Sequence, residues 1–181
     1  YIHMPLQSGS NRILSKMNRT YTKEQFINLA SRIRNTLPNC SLSTDIIVGF
    51  PGETKKEFEE TIEVMNKIRF DFSYKFKYSA RPGTKAAEYT DQISEDKKQS
   101  RLEMLIDLQR EMSLYRNRSE IGKELDVIIE KESKKSVDQW TGRTESNSWV
   151  VFDKNSKYSI GDQVNVKILD AKGVTLLAKL T

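Results

Sequence analysis

The stretch Thr44–Glu53, TDIIVGFPGE, decides the fold of the first part of the chain. The continuous apolar run Ile46–Val48 predicts a strand of a parallel sheet that is buried on both faces. Pro51-Gly52 then turns the chain, and Thr54, with Glu57 three residues later, forms a capping-box pattern that predicts the start of a helix. The stretch is therefore a strand–turn–helix unit.

Similar units flank this stretch on both sides. Alternating aromatic and polar residues over 72–78 predict another strand, and helices are predicted over 10–17, from Thr22 onwards, and from Ser94 to about Arg118. The helix from Thr22 starts with a second capping box and is expected to bury an apolar side made of Phe26, Leu29, Ile33 and Leu37. Strands that alternate with helices indicate a parallel α/β layout.

The character of the sequence changes at about residue 119. Residues 1–118 hold 20 Lys and Arg against 15 Asp and Glu, whereas residues 119–181 hold ten of each. Five short alternating segments separated by glycines predict a small closed five-stranded barrel, a shape often used to bind oligonucleotides. We therefore predict two domains, 1–118 and 119–181, and expect one of the two tryptophans to be buried and the other partly exposed.

The composition excludes several classes of protein. The single cysteine, Cys40, rules out a disulfide framework, and it also rules out a thiolate zinc site or a cysteine-ligated iron–sulfur cluster supplied by this chain alone. No apolar run approaches the ~20 residues of a membrane-spanning helix, and the lone cysteine is typical of the reducing cytosol. Because the chain opens at Tyr1 within an apolar stretch, we expect a fragment cut through a strand, with exposed sheet edges that favour self-association.

Five motifs occur in one order along the chain: His3–Ser10 (HMPLQSGS), Leu14–Arg19 (LSKMNR), Thr44–Glu53, Tyr78–Thr84 (YSARPGT), and Thr141–Thr144 (TGRT) with Asn147. Together they resemble the second half of the MiaB-type radical S-adenosylmethionine methylthiotransferases. The resemblance implies that residues 1 to about 118 are the last three strand–helix units of a partial (βα)6 radical-SAM barrel. It also implies that the tail is a TRAM domain, an OB-like RNA-binding barrel.

The resemblance implies a function for the complete protein. Enzymes of this family cleave S-adenosylmethionine reductively and add a methylthio group to isopentenyl-adenosine next to the anticodon, so the implied partners are the tRNA anticodon stem-loop and a reductant of unidentified kind. The implied cofactors are S-adenosylmethionine and two 4Fe-4S clusters. The ligands of both clusters, including a Cys-x3-Cys-x2-Cys motif, are absent from this chain. We therefore assign no catalytic or metal-ligating residue and expect the chain alone to be inactive.

The expected cofactor site lies where the barrel strands end, because ligands of α/β barrels meet the carboxyl ends of the strands. Gln7 and Ser8 are expected to hydrogen-bond the cofactor, Gly9 to permit a close approach of the backbone, and Arg19 or Arg81 to pair with its carboxylate. An adenine slot is expected from Ile47, Val48, Phe50 and Tyr78. The predicted S-adenosylmethionine-binding residues are Gln7, Ser8, Gly9, Arg19, Asp45, Gly49, Phe50, Tyr78 and Arg81.

Two polar residues of the strands have two readings each. His3, the single histidine, is either a general base or a hydrogen-bonded structural residue. Asp45 lies inside an apolar strand, where a carboxylate is costly without a partner. It is therefore expected either to contact the cofactor or substrate, or to form a structural ion pair.

In the tail, aromatic and basic residues are interleaved in a way that suits RNA. Tryptophan and phenylalanine rings stack on bases, and basic or amide side chains hold phosphates or base edges. The predicted RNA-binding residues are Trp140, Arg143, Asn147, Trp149, Phe152 and Lys154. Two alternative functions stay open at this point: a methylthiotransferase that acts on threonylcarbamoyl-adenosine in tRNA, and a non-catalytic RNA-binding chain.

Overall fold

The computed structural model describes residues 1–181, which divide into two compact units, 2–109 and 110–181. The first unit contains β1 (Ile2–His3), α1 (Asn11–Lys16), α2 (Lys23–Thr36), β2 (Leu42–Val48), α3 (Lys55–Ile68), β3 (Phe72–Lys77), a 3-10 turn (Lys85–Glu88) and most of α4 (Glu95–Arg118). The last turns of α4 belong to the second unit. None of these helices has the length and apolar character needed to cross a membrane.

The strands of the first unit form a three-stranded parallel sheet in the order β1-β2-β3. The predicted strand–helix units are therefore present, and β1 and β3 lie at the two edges of the sheet, each paired with β2 alone. Three helices begin where the sequence predicts. Ser10 caps α1, and complete capping boxes open α2 at Thr22 and α3 at Thr54.

Two predictions of burial in the first unit are wrong. In α2, Phe26 and Ala30 are buried, but Leu29 and Leu37 are 46% and 49% exposed, so the apolar stripe at helical spacing is only partly covered. In β2, Ile46 and Val48 are fully buried whereas Ile47 is only partly buried. The reason is that successive strand residues point to opposite faces and only one face of this sheet is fully covered.

The aromatic residues of β3 lie on the less covered face. Tyr74 and Phe76 are 45% and 51% exposed, whereas Ser73 is buried and its hydroxyl donates to the Gln109 side chain of α4 at 2.8 Å. Register places Tyr74 beside Asp45 and Phe76 beside Ile47. This surface, the open face of the sheet, thus carries both aromatic and ionisable side chains.

The second unit is a closed barrel of five strands: β4 (Glu124–Glu132), β5 (Gln139–Thr144), β6 (Trp149–Asp153), β7 (Gln163–Lys172) and β8 (Thr175–Leu180). Their order is β4-β5-β6-β8-β7, with β7 returning to pair with β4. All pairs are antiparallel except β6 with β8. The barrel confirms the predicted five-stranded fold. Its core consists of Val127, Ile129, Val150, Phe152, Val164, Val166, Ile168, Ala171 and Leu176.

The tryptophans depart from the prediction of one buried and one partly exposed ring. Trp140 and Trp149 are both half-buried. The residue that fills the core instead is Phe152, which is 1% exposed. A large aromatic side chain is needed inside the small barrel, and Phe152 supplies it.

Candidate functional site

The ends of the three parallel strands lie side by side. The Gln7 amide donates to the Asp45 carbonyl at 2.8 Å, and the Gln7 carbonyl accepts from the Ile47 amide at 2.9 Å. On the other side, the Tyr78 amide donates to the Val48 carbonyl at 2.8 Å. The segments that contain Gln7, Gly49 and Tyr78 therefore form one continuous edge, the strand-end edge, as expected from the parallel order.

An aromatic pair with an unsatisfied hydroxyl lies at this edge. The rings of Phe50 and Tyr78 meet edge to face with centroids 5.1 Å apart, and Lys98 Nζ lies 5.6 Å from the centre of the Tyr78 ring. The Tyr78 hydroxyl is buried and has no hydrogen-bond partner. Because buried polar groups are nearly always hydrogen-bonded, this orphaned hydroxyl leaves one hydrogen-bonding position unused at this edge. Val48, expected in the same slot, points to the opposite face.

Ser8 and Gly9 have structural partners. Ser8 is fully buried, and its hydroxyl accepts from the Ser10 amide at 3.2 Å. The Gly9 amide donates to the Thr61 hydroxyl at 2.9 Å, and a Cβ at Gly9 would come within 2.5 Å of the Glu60 carbonyl oxygen of α3. Gly9 therefore permits a close approach of helix α3, rather than the approach of a ligand that the sequence suggested.

Arg19 and Arg81 lie in exposed segments that follow α1 and β3. Neither guanidinium forms an ion pair within the chain, so both are available to an anionic group. The Arg81 carbonyl accepts from the Thr84 amide at 3.2 Å and from its hydroxyl at 2.8 Å, which closes the turn over residues 81–84. No contact joins either guanidinium to the strand-end edge.

The turn after β2 is held by a buried carboxylate that the sequence reasoning missed. Glu53 is 2% exposed, accepts the Gly49 amide at 2.8 Å and forms an ion pair with Arg101 of α4 at 2.5 Å. Burial raises the pKa of Glu53, and the Gly49 amide and Arg101 offset part of that effect. Gly49 itself has φ of 72°, so the chain reverses there without strain.

A second carboxylate joins three segments. Glu57 accepts from Arg12 of α1 at 2.6 and 2.7 Å, and it also accepts the Thr54 amide at 2.8 Å. Arg12 additionally donates to the Gly52 carbonyl at 2.5 Å. Hydrogen bonding by Arg12 lowers the pKa of Glu57 to about 2. The capping box identified Glu57, but no local pattern reveals Arg12, which is 45 residues away in sequence.

His3 and Asp45 are partners on the open face. His3 Nε2 lies 3.3 Å from an Asp45 oxygen, and His3 Nδ1 lies 2.7 Å from the Ser43 hydroxyl. The His3 ring also meets the Tyr74 ring edge to face at 5.9 Å. His3 and Asp45 therefore have the hydrogen-bond and ion-pair partners that a structural role requires. Each side chain nevertheless stays about one-third exposed.

In the second unit, Arg143 is stacked on Trp149. Its guanidinium carbon lies 4.0 Å from the centre of the Trp149 ring, a cation–π arrangement. The guanidinium donates to the Asn147 side chain at 2.6 Å and lies 3.3 Å from a Glu130 carboxylate oxygen. Lys131 Nζ is 4.5 Å from the centre of the same ring. Asn147 thus positions Arg143, and its φ of 65° suits asparagine, which tolerates this conformation.

A similar group surrounds Trp140. Lys154 Nζ lies 4.4 Å from the centre of the Trp140 ring and 2.5 Å from a Glu132 carboxylate oxygen. Phe152, a predicted RNA contact, does not join this surface because its side chain is in the barrel core. The other five predicted RNA-binding residues lie on these two groups, which together we call the tryptophan–cation surface.

The donors for an iron–sulfur cluster are not in this chain. Cys40 is the one cysteine, and no group of three or more His, Cys, Asp or Glu side chains is placed to hold a metal ion. The residues present therefore do not fit a cluster. By contrast, the aromatic pair and the orphaned Tyr78 hydroxyl fit a nucleoside-type ligand such as S-adenosylmethionine.

Family models match a part of each unit. A model of the Radical SAM superfamily matches residues 1–65, and a model of the TRAM domain matches residues 118–181. A solved structure titled coproporphyrinogen III oxidase (HemN) from Escherichia coli, a radical SAM enzyme, superposes with a TM-score of 0.53. It is 15% identical and covers 78% of this chain and 40% of its own, so this similarity concerns the fold alone.

Curated relatives are more similar in sequence. The tRNA-2-methylthio-N(6)-dimethylallyladenosine synthase of Christiangramia forsetii is 47% identical over 99% of this chain and 37% of its own length. The proteins of the same name from Clostridium botulinum strain Hall and Thermoanaerobacter sp. strain X514 are 45% and 43% identical, over 97% and 99% of this chain and 39% and 38% of theirs. The chain thus spans less than two-fifths of the length of these relatives. It is a relative of the MiaB-type radical-SAM methylthiotransferases that joins part of a radical-SAM barrel to a TRAM domain.

Proposed function

We propose that this chain is the part of a tRNA methylthiotransferase that binds S-adenosylmethionine at the strand-end edge and binds tRNA through its TRAM barrel. The complete protein would add a methylthio group to isopentenyl-adenosine beside the anticodon. The names of the relatives state the methylthio group, the dimethylallyladenosine and tRNA, and the position beside the anticodon is part of the proposal. The observation that carries the proposal is the buried, unpartnered Tyr78 hydroxyl beside Phe50, at the edge where three parallel strands end.

Each residue has a specific part in this proposal. Phe50 and Tyr78, whose rings are in contact with each other, would together form one side of the adenine slot, and the Tyr78 hydroxyl would form one hydrogen bond with the nucleoside. The exposed guanidinium of Arg19 or Arg81 would pair with the methionyl carboxylate. Glu53 keeps the turn after β2 in place by accepting the Gly49 amide, so the edge is formed before a ligand arrives. S-adenosylmethionine would supply the radical chemistry and the methyl group.

The chain by itself is proposed to be inactive. It has a single cysteine and no side-chain group that fits a cluster, so the electron that starts the reaction has no site here from which to come. In the complete enzyme, the ligands of the two 4Fe-4S clusters would come from other residues, and a separate reductant would supply the electron.

The tail is proposed to bind the anticodon stem-loop. The tryptophan–cation surface combines two half-buried indole rings with three cations within 4.5 Å of a ring centre. Base stacking on such rings contributes ~1–3 kcal/mol per base. Phosphates that flank a stacked base would lie near these cations.

Mass spectrometry of tRNA nucleosides tests the proposal. We expect deletion of the gene that encodes this chain to remove the methylthio group from isopentenyl-adenosine, and the intact gene to restore it. Genes with Tyr78→Phe, or with Arg143→Ala and Trp149→Ala together, should restore only part of it, because the first lacks the orphaned hydroxyl and the second lacks the stacked cation.

Three outcomes of the same experiment would contradict the proposal. An unchanged methylthio fraction in the deletion strain would exclude this reaction. Loss of the mark from threonylcarbamoyl-adenosine instead would assign the other tRNA substrate. Full restoration by both variants would remove the two surfaces from the reaction.

A further inference from the structure

The second unit carries the same three-part arrangement twice. In each case a cation lies over a tryptophan ring, and a glutamate of β4 is paired with that cation. Arg143 over Trp149 is paired with Glu130, and Lys154 over Trp140 is paired with Glu132. These carboxylates belong to the very surface that is proposed to meet a polyanion.

The carboxylates have an electrostatic consequence for RNA. Glu130 lies 3.3 Å from Arg143, so a phosphate that approaches the guanidinium also approaches a negative charge. At such distances the attraction of the cation and the repulsion of the carboxylate are of similar size. The same holds for Lys154, whose Nζ is 2.5 Å from Glu132. A phosphate therefore gains little from either cation until the ion pair opens.

The low net charge of the tail makes these two ion pairs important for its affinity for RNA. Residues 119–181 hold ten basic and ten acidic side chains, and residues 110–118 add three basic and one acidic, so only a small excess of positive charge attracts a polyanion to this unit. An RNA that offers phosphates alone meets Lys131, with which no carboxylate is paired, but it has little to gain at Arg143 or Lys154. An RNA whose unpaired bases also stack on Trp140 and Trp149 gains enough to displace the carboxylates.

We propose that Glu130 and Glu132 are built-in competitors for RNA phosphates and thereby determine the specificity of the tryptophan–cation surface. In the free protein each carboxylate keeps its cation above a tryptophan ring. On binding, the phosphate takes the cation and the carboxylate is released to solvent. The inference rests on the proposed RNA-binding function of the tail and concerns how that function is restricted.

Fluorescence anisotropy with a labelled anticodon stem-loop RNA tests the inference on the full 181-residue chain. We expect E130Q and E132Q each to tighten binding about threefold at low salt, the size of effect that a partly exposed ion pair supports. Neither substitution should change the slope of log affinity against log salt by as much as the ~0.7 of one phosphate contact, because the phosphate takes the cation in the parent complex as well.

The matched control is E124Q. Glu124 lies on the same strand, and its substitution changes the net charge equally, but it forms no ion pair with a cation stacked on tryptophan. E124Q should therefore change affinity by less than half as much as E130Q and leave the salt slope unchanged. Unchanged unfolding midpoints, followed by tryptophan fluorescence, confirm that each variant is folded.

A further variant, Arg143→Ala with Trp149→Ala, separates the two possible failures. If it binds the RNA as tightly as the parent chain, or if the parent chain does not bind, the proposed function of the tail is wrong and the inference falls with it. If it weakens binding while E130Q and E132Q behave like E124Q, the tail binds RNA but the two glutamates do not compete with phosphate. That result overturns the inference alone.

Discussion

The sheet of the first unit and the barrel of the second unit differ in whether they have unpaired edge strands and an exposed face. The first unit has two edge strands and an open face on which Tyr74 and Phe76 are about half exposed. The second unit closes its sheet on itself, which removes the edges and encloses an apolar core. The closed sheet leaves no strand edge unpaired, whereas the open sheet leaves two edge strands and the aromatic side chains of one face exposed.

The units also differ in where charge is buried. All three buried charged residues of the chain, Glu53, Glu57 and Lys98, lie in the first unit. In the second unit no charged side chain is buried, and the buried polar residues, which include Thr141 and Thr144, are uncharged. We therefore expect buried ion pairs to add to the stability that the first unit gains from its apolar core, and the second unit to rely on apolar packing without them.

A matched pair of phenylalanine substitutions provides the strongest test of this difference. Phe152→Ala should lower the free energy of unfolding of the second unit by ~3–5 kcal/mol, because it opens a cavity in a closed core. Phe76→Ala on the open face should cost the first unit less than ~1 kcal/mol, because its side chain is 51% exposed.

Separate signals report the two units in this experiment. Trp140 and Trp149 are the only tryptophans and both lie in the barrel, so their fluorescence follows the second unit in denaturant. Helices α1–α3 lie in the first unit, so far-ultraviolet circular dichroism follows mainly that unit. Equal losses from the two substitutions would show that the open face is packed as tightly as the barrel core.

Acid should affect the first unit more. The folded-state pKa of Glu57 is lowered from 4.5 to about 2, so its contribution is fully present above the unfolded value and is lost as the pH falls through the folded value. The free energy of unfolding of the first unit, followed by the circular dichroism of its helices, should therefore fall by roughly 2 kcal/mol between about pH 4.5 and about pH 2. Glu57→Gln should remove most of this dependence and lower stability at neutral pH.

The control for the acid experiment is Glu59→Gln on the same helix. Glu59 is exposed and lies 3.7 Å from Lys55 in an ordinary surface pair, so its loss should cost less than ~0.5 kcal/mol. If Glu57→Gln and Glu59→Gln flatten the pH dependence equally, the ion pair between Glu57 and the half-exposed Arg12 is not what stabilises the first unit.

The smallest expected effect concerns the turn that positions Arg143. Asn147→Ala should cost the barrel about 1 kcal/mol, because alanine is strained at a φ of 65°. Asn147→Gly should cost only a few tenths, because glycine accepts this conformation, although it also removes the acceptor for Arg143. Denaturant unfolding followed by tryptophan fluorescence measures both, and equal costs would show that the side chain, rather than the backbone, limits stability.

Much of the architecture was predictable because its signals are local. Capping boxes at Thr22 and Thr54 and β-type alternation at Val127 and Ile129 depend on neighbours a few residues away, and the structure confirms them. Burial was less predictable. Leu29 and Leu37 have helical spacing, yet they are exposed because no element of the described chain covers them, and spacing alone carries no information about a neighbouring helix.

In the candidate site, too, the features that depend on contiguous motifs were predictable and those that depend on distant partners were not. Motif order pointed to Gln7, Gly49 and Tyr78, and the parallel register brings their segments to one edge. The structural roles of Gly9, Glu53 and Arg12 depend on partners that are distant in sequence. The sequence suggested a different role for Gly9 and no role for Glu53 or Arg12.

By itself, the amino-acid sequence determined the order of strands and helices, the change to a β-rich tail and the family resemblance, because these follow from short-range periodicity and contiguous motifs. Only the tertiary structure decided that Phe152, rather than a tryptophan, fills the barrel, and that Glu130 and Glu132 are paired with the cations over Trp149 and Trp140. The physical reason is that burial and ion pairing are properties of three-dimensional neighbours, which strand pairing brings together from distant parts of the chain.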